Sequence, residues 1–279
     1  GDFTMYKKGD FHIHSTASDG TLEPKEVVRY AKKNDIDIMA LSDHDTIKGI
    51  NEAQEEGKKL NVKVIPAIEL STQYKNESIH ILGYFKNEKY ENKELDKKLE
   101  EMHNYRIMRA KKMAENLKKY FGIEIDFENM LKKITGNIAR PHIAKAVLDA
   151  GYNYSFQYVF DNLIGTSSPA YVPNTRMSIE EGINLLKKSN AVVVLAHPVL
   201  IKKSSIDEML KFDFDGIEAI YPRNSKEDTI KFKAKAKEYK KFITAGSDFH
   251  GIDGDPKHGD IGCVSLSENG IKNFLNALK

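Results

Sequence analysis

Phe11-His12-Ile13-His14-Ser15, followed shortly by Asp19-Gly20, is the stretch whose reading decides the fold. In an extended strand successive side chains point to opposite faces, so His12 and His14 share one face while Phe11, Ile13 and Ser15 share the other. Two imidazoles on one face, with a carboxylate a few residues on, form a divalent-metal grip. Taken alone, the pair reads equally well as a half-buried strand whose histidines bond to their neighbours. The rest of the chain decides between the two, because the same design recurs at later strands.

Working outward, strand and helix signals alternate. Pro24 opens a helical stretch with Val27, Val28, Ala31 and Ile36 spaced for one apolar face. Ile38-Met39-Ala40-Leu41 is a continuous apolar run, the pattern of a strand covered on both faces, and it ends in Ser42-Asp43-His44-Asp45-Thr46. A second helix through Ala53 and Leu60 leads to a strand over Val62–Ile68 that ends in Glu69, and Ser78–Tyr84 is another strand with His80 inside it. Beyond residue 88 Lys and Glu become dense, and Leu95, Leu99, Met102, Ala110, Met113 and Leu117 recur at threes and fours along a long helix. The mixed signs there predict a solvated helix face rather than a nucleic-acid patch. Ile138–Ala144 starts a further helix with Pro141 in its first turn, and Gly165-Thr166-Ser167-Ser168-Pro169 reads as a linker.

Alternation then resumes. Ser178, with Glu181 three residues on, has the spacing of a capping box. The strand Val192–Ala196 ends in His197-Pro198, and Gly216–Ile220 is the next, followed by a Lys-rich helix over Lys226–Tyr239. Phe242–Gly246 is the last strand and ends in Ser247-Asp248-Phe249-His250. Seven strands, each with a helix or the insertion behind it, predict a parallel sheet or a barrel. The expected organisation is a first barrel part over 1–88, an all-α insertion over 89–169 placed as a cap over a site, and a second barrel part over 170–279.

The bulk numbers narrow the class. At 279 residues, 40% apolar and 30% charged, this is a globular chain of one large domain or two ordinary ones. Its 43 basic and 41 acidic side chains leave a net charge of +2, so attraction for an anion must be local. The single cysteine, Cys263, excludes an intrachain disulfide framework and is expected as a small buried residue. The opening residues are polar and form no leader-type apolar run, and Ala191–Ala196 is too short to span a bilayer, so a soluble, cytoplasmic protein is expected.

Metal-ligand residue types stand at or just past the apolar part of six of the seven strands: His12 and His14, His44, Glu69, His80, His197, and Asp248 with His250. In a parallel barrel such ends converge on the face that carries chemistry. Six of the nine histidines fall there, and His103, His142 and His258 do not. Imidazole and carboxylate donors without thiolate suit Mn, Zn or Fe. The donors outnumber what one ion takes, which implies two or three. Such a cluster supplies the local positive charge that the whole chain lacks, and it suits a phosphate ester. There is no Walker loop and no Gly-x-Ser-x-Gly elbow.

At this point the sequence resembles the PHP (polymerase and histidinol phosphatase) metal-dependent phosphoesterases. The matching motifs are Phe11–Ser15 with Ser18-Asp19-Gly20, then Ser42-Asp43-His44-Asp45-Thr46, Glu69, His80, Ala196-His197-Pro198 and Ser247-Asp248-Phe249-His250. The resemblance implies a distorted seven-stranded (β/α) barrel of α/β class holding a trinuclear site. In it His12, His14, Glu69 and Asp248 would bind a first ion. Glu69 would bridge to a second held by His80 and His197, and Asp19, His44 and His250 would hold a third. The match is nearest to the bacterial branch with a helical insertion, to which Ala139-Arg140-Pro141-His142 is also similar. Members of that branch convert nucleoside 3′,5′-bisphosphates to 5′-monophosphate and phosphate by metal-activated hydroxide, and some trim short RNA from the 5′ end.

That resemblance makes Arg140, His142, Arg176 and Arg223 the expected grip on a second phosphate, and Asp43 a group that positions the nucleophile or orients a histidine. Tyr221-Pro222-Arg223-Asn224-Ser225 departs from the pattern, in which a histidine near the serine is expected. The leading expectation is a phosphatase of a small phosphorylated nucleotide, with no membrane and no obligate protein partner. Three other readings keep part of the design. Histidinol phosphate as substrate is disfavoured by the short Glu69-to-His80 spacing and the insertion. A nuclease on short RNA would use Tyr105, Tyr120, Phe121, Tyr152, Tyr154, Phe156 and Tyr158, although aromatics at such spacing are usually core. A non-catalytic metal-binding module would not need complete ligation.

Overall fold

The computed structural model describes residues 5–279. In chain order the elements are β1 (Gly9–Ile13), α1 (Pro24–Lys33), β2 (Ile38–Leu41), α2 (Ile50–Leu60), β3 (Lys63–Tyr74), β4 (Glu77–Phe85), α3 (Lys93–Phe121), α4 (Phe127–Lys133), α5 (Arg140–Asp149) and α6 (Phe156–Tyr158). They continue with β5 (Met177–Ser178), α7 (Ile179–Lys188), β6 (Ala191–Leu195), α8 (Ile206–Met209), β7 (Gly216–Ile220), α9 (Lys226–Glu238), β8 (Phe242–Ala245) and α10 (Glu268–Ala277). They form two compact units, one from the chain up to Leu95 with Arg176–Lys279, the other Asp96–Thr175.

In the first unit the long strands follow the order β1-β2-β3-β4-β6-β7-β8, with the two-residue β5 paired to the far half of β3. The backbone of β1 meets the segment after β8 through an Ile13–Phe249 bridge, so the strands nearly close into a ring. His14 N donates to Phe249 O (2.9 Å) and Asp248 N to His12 O (2.8 Å) at that seam. One core cluster draws on β1 (Phe11), β2 (Ile38, Ala40), β3 (Ile65, Ala67), β4 (Leu82, Tyr84), β6 (Val192, Val194) and β8 (Ala245). Helix α10 closes it: Phe274 lies 4.7 Å from Phe11 and 4.9 Å from Tyr84, ring centre to ring centre. A second cluster packs Val27, Val28, Ala31 and Ala53 of α1 and α2 against Ile13, Met39, Leu41 and Val64. This is the seven-stranded distorted barrel that the sequence predicts.

Two local features differ from the sequence reading. The register of β1 against β2 shifts between Asp10 and Ile13, so Phe11 enters the inner cluster while Ile13 lies under α1. A simple alternation would have put both in one layer. Nor does a helix stand behind every strand. β3 runs on to Tyr74 and returns directly as β4 through Lys75 and Asn76, both with φ > 0 as a two-residue hairpin turn requires. β4 is therefore antiparallel to both β3 and β6, and this is the distortion in the barrel.

The helical unit has its own core of Ala110, Met113, Leu117, Met130, Ile143, Val147, Leu163 and Ile164. Pro141 stands in the first turn of α5, where its missing N–H costs nothing. The segment Gly165–Pro169 is not a free linker. Ser168 Oγ donates to Leu163 O (2.6 Å), and Ala170 just beyond it is fully buried in that core. Cys263, expected buried, is exposed.

The plug by α10 yields a direct test. Phe274→Ala removes a fully buried ring that touches three strands, and should lower stability by about 3–5 kcal/mol. Phe156→Ala, at a ring 41% exposed, should change it by about 0.5 kcal/mol or less. Urea midpoints at unchanged slope would measure both.

Candidate metal centre

Glu69 lies in the middle of β3, fully buried, and faces five imidazoles. Its Oε1 is 3.0 Å from His12 Nε2, 3.0 Å from His14 Nε2 and 3.4 Å from His44 Nδ1. Its Oε2 is 3.0 Å from His80 Nδ1 and 3.1 Å from His197 Nε2. Asp248 Oδ1 adds a second carboxylate oxygen 2.8 Å from His14 Nε2 and 3.2 Å from His12 Nε2. On the outer side Asp19 Oδ2 is 3.2 Å from His250 Nε2 and 3.6 Å from His44 Nε2. His80 reaches this end of the barrel from the beginning of β4 rather than its end, because β4 runs antiparallel and His80 pairs with Ser71.

The loops that carry these donors are tied down by further buried carboxylates. Asp43 accepts from Ser15 N (2.7 Å), Ser15 Oγ (2.7 Å) and Ser18 Oγ (2.6 Å), which fixes the turn leading to Asp19. Asp45 accepts from Ser71 N (2.8 Å) and Ser71 Oγ (2.7 Å). Asp10 takes the N–H groups of Ser247 (3.0 Å) and Gly262 (3.0 Å). Glu218 Oε2 lies 2.7 Å from His12 Nδ1, and its Oε1 accepts from His197 N (2.8 Å). Gly246 lets the end of β8 pass close to β1: a Cβ there would stand 2.2 Å from His12 Cβ and 2.7 Å from Glu218 Oε2. His197 (φ 25°) and Asp248 (φ 57°) both sit in the left-handed backbone region, a strain of roughly 1–3 kcal/mol each.

The electrostatics follow from burial working against close charge. Burial alone would push the Glu69 and Asp248 carboxyls up, but the imidazoles of His12 with His44 and His80, or with His14, hold both well below the usual carboxylate range. Burial likewise opposes the charged form of His14, yet Asp248 and Glu69 raise it to about 10. His44, with weaker carboxylate contacts, is driven by burial down to about 4. The pocket therefore demands positive charge at its centre.

Divalent cations meet that demand with this donor set. Ligand atoms about 2.0–2.2 Å from an ion lie about 3–3.4 Å from one another, which is the spacing found around Glu69 and Asp248. His14 Nδ1 is buried with no hydrogen-bond partner among the described residues, 3.7 Å from Asp19 Oδ1. The donor atoms fall into overlapping groups: His12, His14, Glu69 and Asp248; His44, Glu69 and His80; His14, Asp19, His44 and His250; and Asp248, His250 and His258.

All nine residues expected as ligands thus come together: His12, His14, Asp19, His44, Glu69, His80, His197, Asp248 and His250. Asp43 stands apart from the donors and anchors the Ser15–Ser18 turn rather than a histidine. Arg140 and His142 belong to the helical unit. There the Arg140 guanidinium lies 4.1 Å from the Phe160 ring centre with Nη1 near the Phe160 and Ile164 carbonyls, and His142 Nδ1 accepts from Ala139 N. Arg176 precedes β5, and Arg223 is exposed just past β7.

Sequence reasoning missed Glu218, Tyr221, Asp10 and His258. Glu218 carries a visible signal, a lone charge inside the apolar run Gly216–Ile220. Tyr221 donates its hydroxyl to Asp248 Oδ2 (2.6 Å), and burial beside that carboxylate keeps it from ionising. His258 lies in an Asp- and Gly-rich loop with no periodicity to mark it.

A family model described as PHP domain matches residues 10–247. The chain is 29% identical over 253 residues to the 5′-3′ exoribonuclease of Haemophilus influenzae, covering 88% of this chain and 91% of that one. It is 28% identical over 249 residues to the 3′,5′-nucleoside bisphosphate phosphatase of Chromobacterium violaceum, covering 86% of each. A solved structure from Bifidobacterium adolescentis, named a presumed metal-dependent phosphoesterase, matches with a TM-score of 0.79 at 26% identity, over 97% of this chain and 96% of that one.

Two outcomes test the centre. Because His14 stays protonated up to about pH 10 in the metal-free protein, a cation binding at pH 8 must displace that proton, and affinity for Mn²⁺ should rise with pH. Calorimetry in buffers of different ionisation enthalpy should show proton release; none would exclude His14 as a ligand. Glu218→Ala strands His12 Nδ1 and His197 N in the core, and should weaken metal binding by about 10–100-fold. Glu218→Gln, which restores an acceptor, should recover part of it, as read from metal content after dialysis.

Proposed function

The chain belongs to the PHP domain family and is a metal-dependent phosphoesterase, and we propose that its substrate is a small nucleotide, a nucleoside 3′,5′-bisphosphate hydrolysed to the 5′-monophosphate and phosphate. In this reading His12, His14, Glu69 and Asp248 would hold one ion, His80 and His197 together with Glu69 a second, and Asp19, His44 and His250 a third. The overlapping donor groups around Glu69 are the observation that carries it. Divalent ions, when bound, supply Lewis-acid neutralisation of phosphoryl oxygens and acidify water for attack.

The chain's own residues do the rest. Glu69 and Asp248 stay ionised in a buried site, and each divides its two oxygens between different partners. Glu218 fixes the ring of His12, and Tyr221 fixes the free oxygen of Asp248. Asp43 keeps Asp19 at the rim. Arg176 and Arg223 are the barrel unit's candidates for the second phosphate; Arg140 and His142 are those of the helical unit. The nucleotide choice is supported by the relatives named as a 3′,5′-nucleoside bisphosphate phosphatase and as 5′-3′ exoribonucleases, since both names specify hydrolysis of phosphate esters of nucleotides.

A second reading, removal of nucleotides from the 5′ end of short RNA, has one specific observation in its favour. Tyr154, Phe156 and Tyr158 are 40%, 41% and 46% exposed rather than core, and the Tyr154 and Tyr158 rings stack 5.4 Å apart at 8°. Such rings suit base stacking.

Purified chain with Mn²⁺ should release phosphate from adenosine 3′,5′-bisphosphate and not from 5′-AMP or histidinol phosphate. His12→Ala should fall to background with its circular dichroism unchanged. Release of mononucleotides from a 5′-phosphorylated oligoribonucleotide, with no phosphate from the bisphosphate, would replace the first reading by the second. Turnover of histidinol phosphate alone would overturn both.

A further inference from the structure

Nine donors account for the three ions proposed above, yet a tenth candidate donor, the imidazole of His258, stands beside them. His258 lies on the loop between β8 and α10, with its side chain 23% exposed. Its Nδ1 is 2.7 Å from Asp255 Oδ2. A carboxylate only accepts, so Nδ1 carries the hydrogen and the neutral ring presents its lone pair at Nε2. That Nε2 is 3.9 Å from Asp248 Oδ2, and the ring stacks on His250 at 3.7 Å and 22°. Two donors on one ion at about 2.1 Å each are separated by at most about 4.2 Å, so His258 Nε2 and Asp248 Oδ2 fit one cation.

The outer partner of His258 matches those of three of the site histidines. His12 has Glu218 on its far nitrogen, His250 has the Asp248 carbonyl (2.7 Å) and His80 has Ser78 Oγ (3.2 Å). A ligating histidine held on its other nitrogen by a carboxylate, a carbonyl or a hydroxyl is the usual arrangement around metals. Asp255 is itself braced, since its Oδ1 accepts from Lys257 N (2.9 Å). On its other side His258 lines an open cavity of about 560 Å³ together with Asp253, Asp255 and Asp260, so a cation reaches it from solvent.

We propose that His258 is a ligand of the metal centre, completing with His250 and Asp248 Oδ2 the coordination of the outermost ion, and that Asp255 positions it. Asp248 would then offer Oδ1 on the side of His12 and His14, and Oδ2, which also accepts from the Tyr221 hydroxyl, on the side of His258. This deepens the reading of the centre given above and rests on it.

Metal content and Mn²⁺ titration calorimetry on the full chain test the assignment without reference to turnover. His258→Ala should lose one equivalent of metal, or bind its weakest ion about 10–100-fold less tightly, with an unchanged circular dichroism spectrum. Asp255→Asn, which leaves the imidazole in place but loosens it, should shift the same binding step in the same direction by less. Stoichiometry and affinity equal to the wild type in both variants would overturn the proposal. If His258→Ala does not fold, Asp255→Asn alone decides by the same criterion. Loss of the ion together with a wild-type chain inactive on every phosphoester would sink the substrate reading and leave His258 a ligand; an active wild type with unaltered binding in the variants would do the reverse.

Discussion

A carboxylate taken wholly out of water must be met at close range by positive charge or by hydrogen-bond donors, and Glu69 imposes that condition on the whole barrel. Five imidazoles converge on its two oxygens from β1, β4 and the segments following β1, β2 and β6. The other buried carboxylates then serve the first. Asp10, Asp43, Asp45 and Glu218 each accept backbone N–H groups from a segment that carries or adjoins a donor: Ser247, Ser15, Ser71 and His197. Replacing any of them by an apolar group would leave a buried N–H unpaired, which costs about 1–3 kcal/mol. The centre is thus two concentric shells, donors that face the cations and carboxylates that hold the donors' backbones still.

That second shell explains how His197 and Asp248 persist with left-handed backbones. Glu218 grips the N–H of His197, and His12 O accepts from Asp248 N, so the neighbours over-determine both conformations. Strain at two donors is then tolerable because the segments around them cannot relax in any single direction.

Much of this was legible in the sequence. Ile38–Leu41 and Val192–Ala196 announced buried strands by unbroken apolar runs, and the capping box at Ser178 with Glu181 forms as its spacing implies. Eight of the nine donors were readable because they sit at or just past the apolar part of a strand, while Asp19 was marked by its place after the His12–His14 motif. The β3–β4 hairpin was not, since Lys75-Asn76 lacks glycine and its left-handed turn is supported by the strand pairing rather than by residue type. The shift in β1 was hidden for a related reason: Phe11 and Ile13 are both apolar, and only the two layers of packing tell them apart. His258 was invisible because its role depends on where a loop without periodicity comes to rest. Asp43 was visible as a residue, but its assignment depended on which hydroxyls it would meet.

The seam at Ile13 and Phe249 joins the first strand of the barrel to the last. On a ribosome β1 emerges early and finds β2 at once, yet its other edge has no partner until β8 has been made. For most of synthesis that edge is an open row of N–H and C=O groups, the kind that recruits foreign strands. The helical unit, whose contacts are local in sequence, can settle meanwhile. A nascent chain halted before residue 245 would therefore carry an unpaired edge and lack Asp248 and His250, which marks it as a substrate for chaperones and proteases rather than as a partly working enzyme.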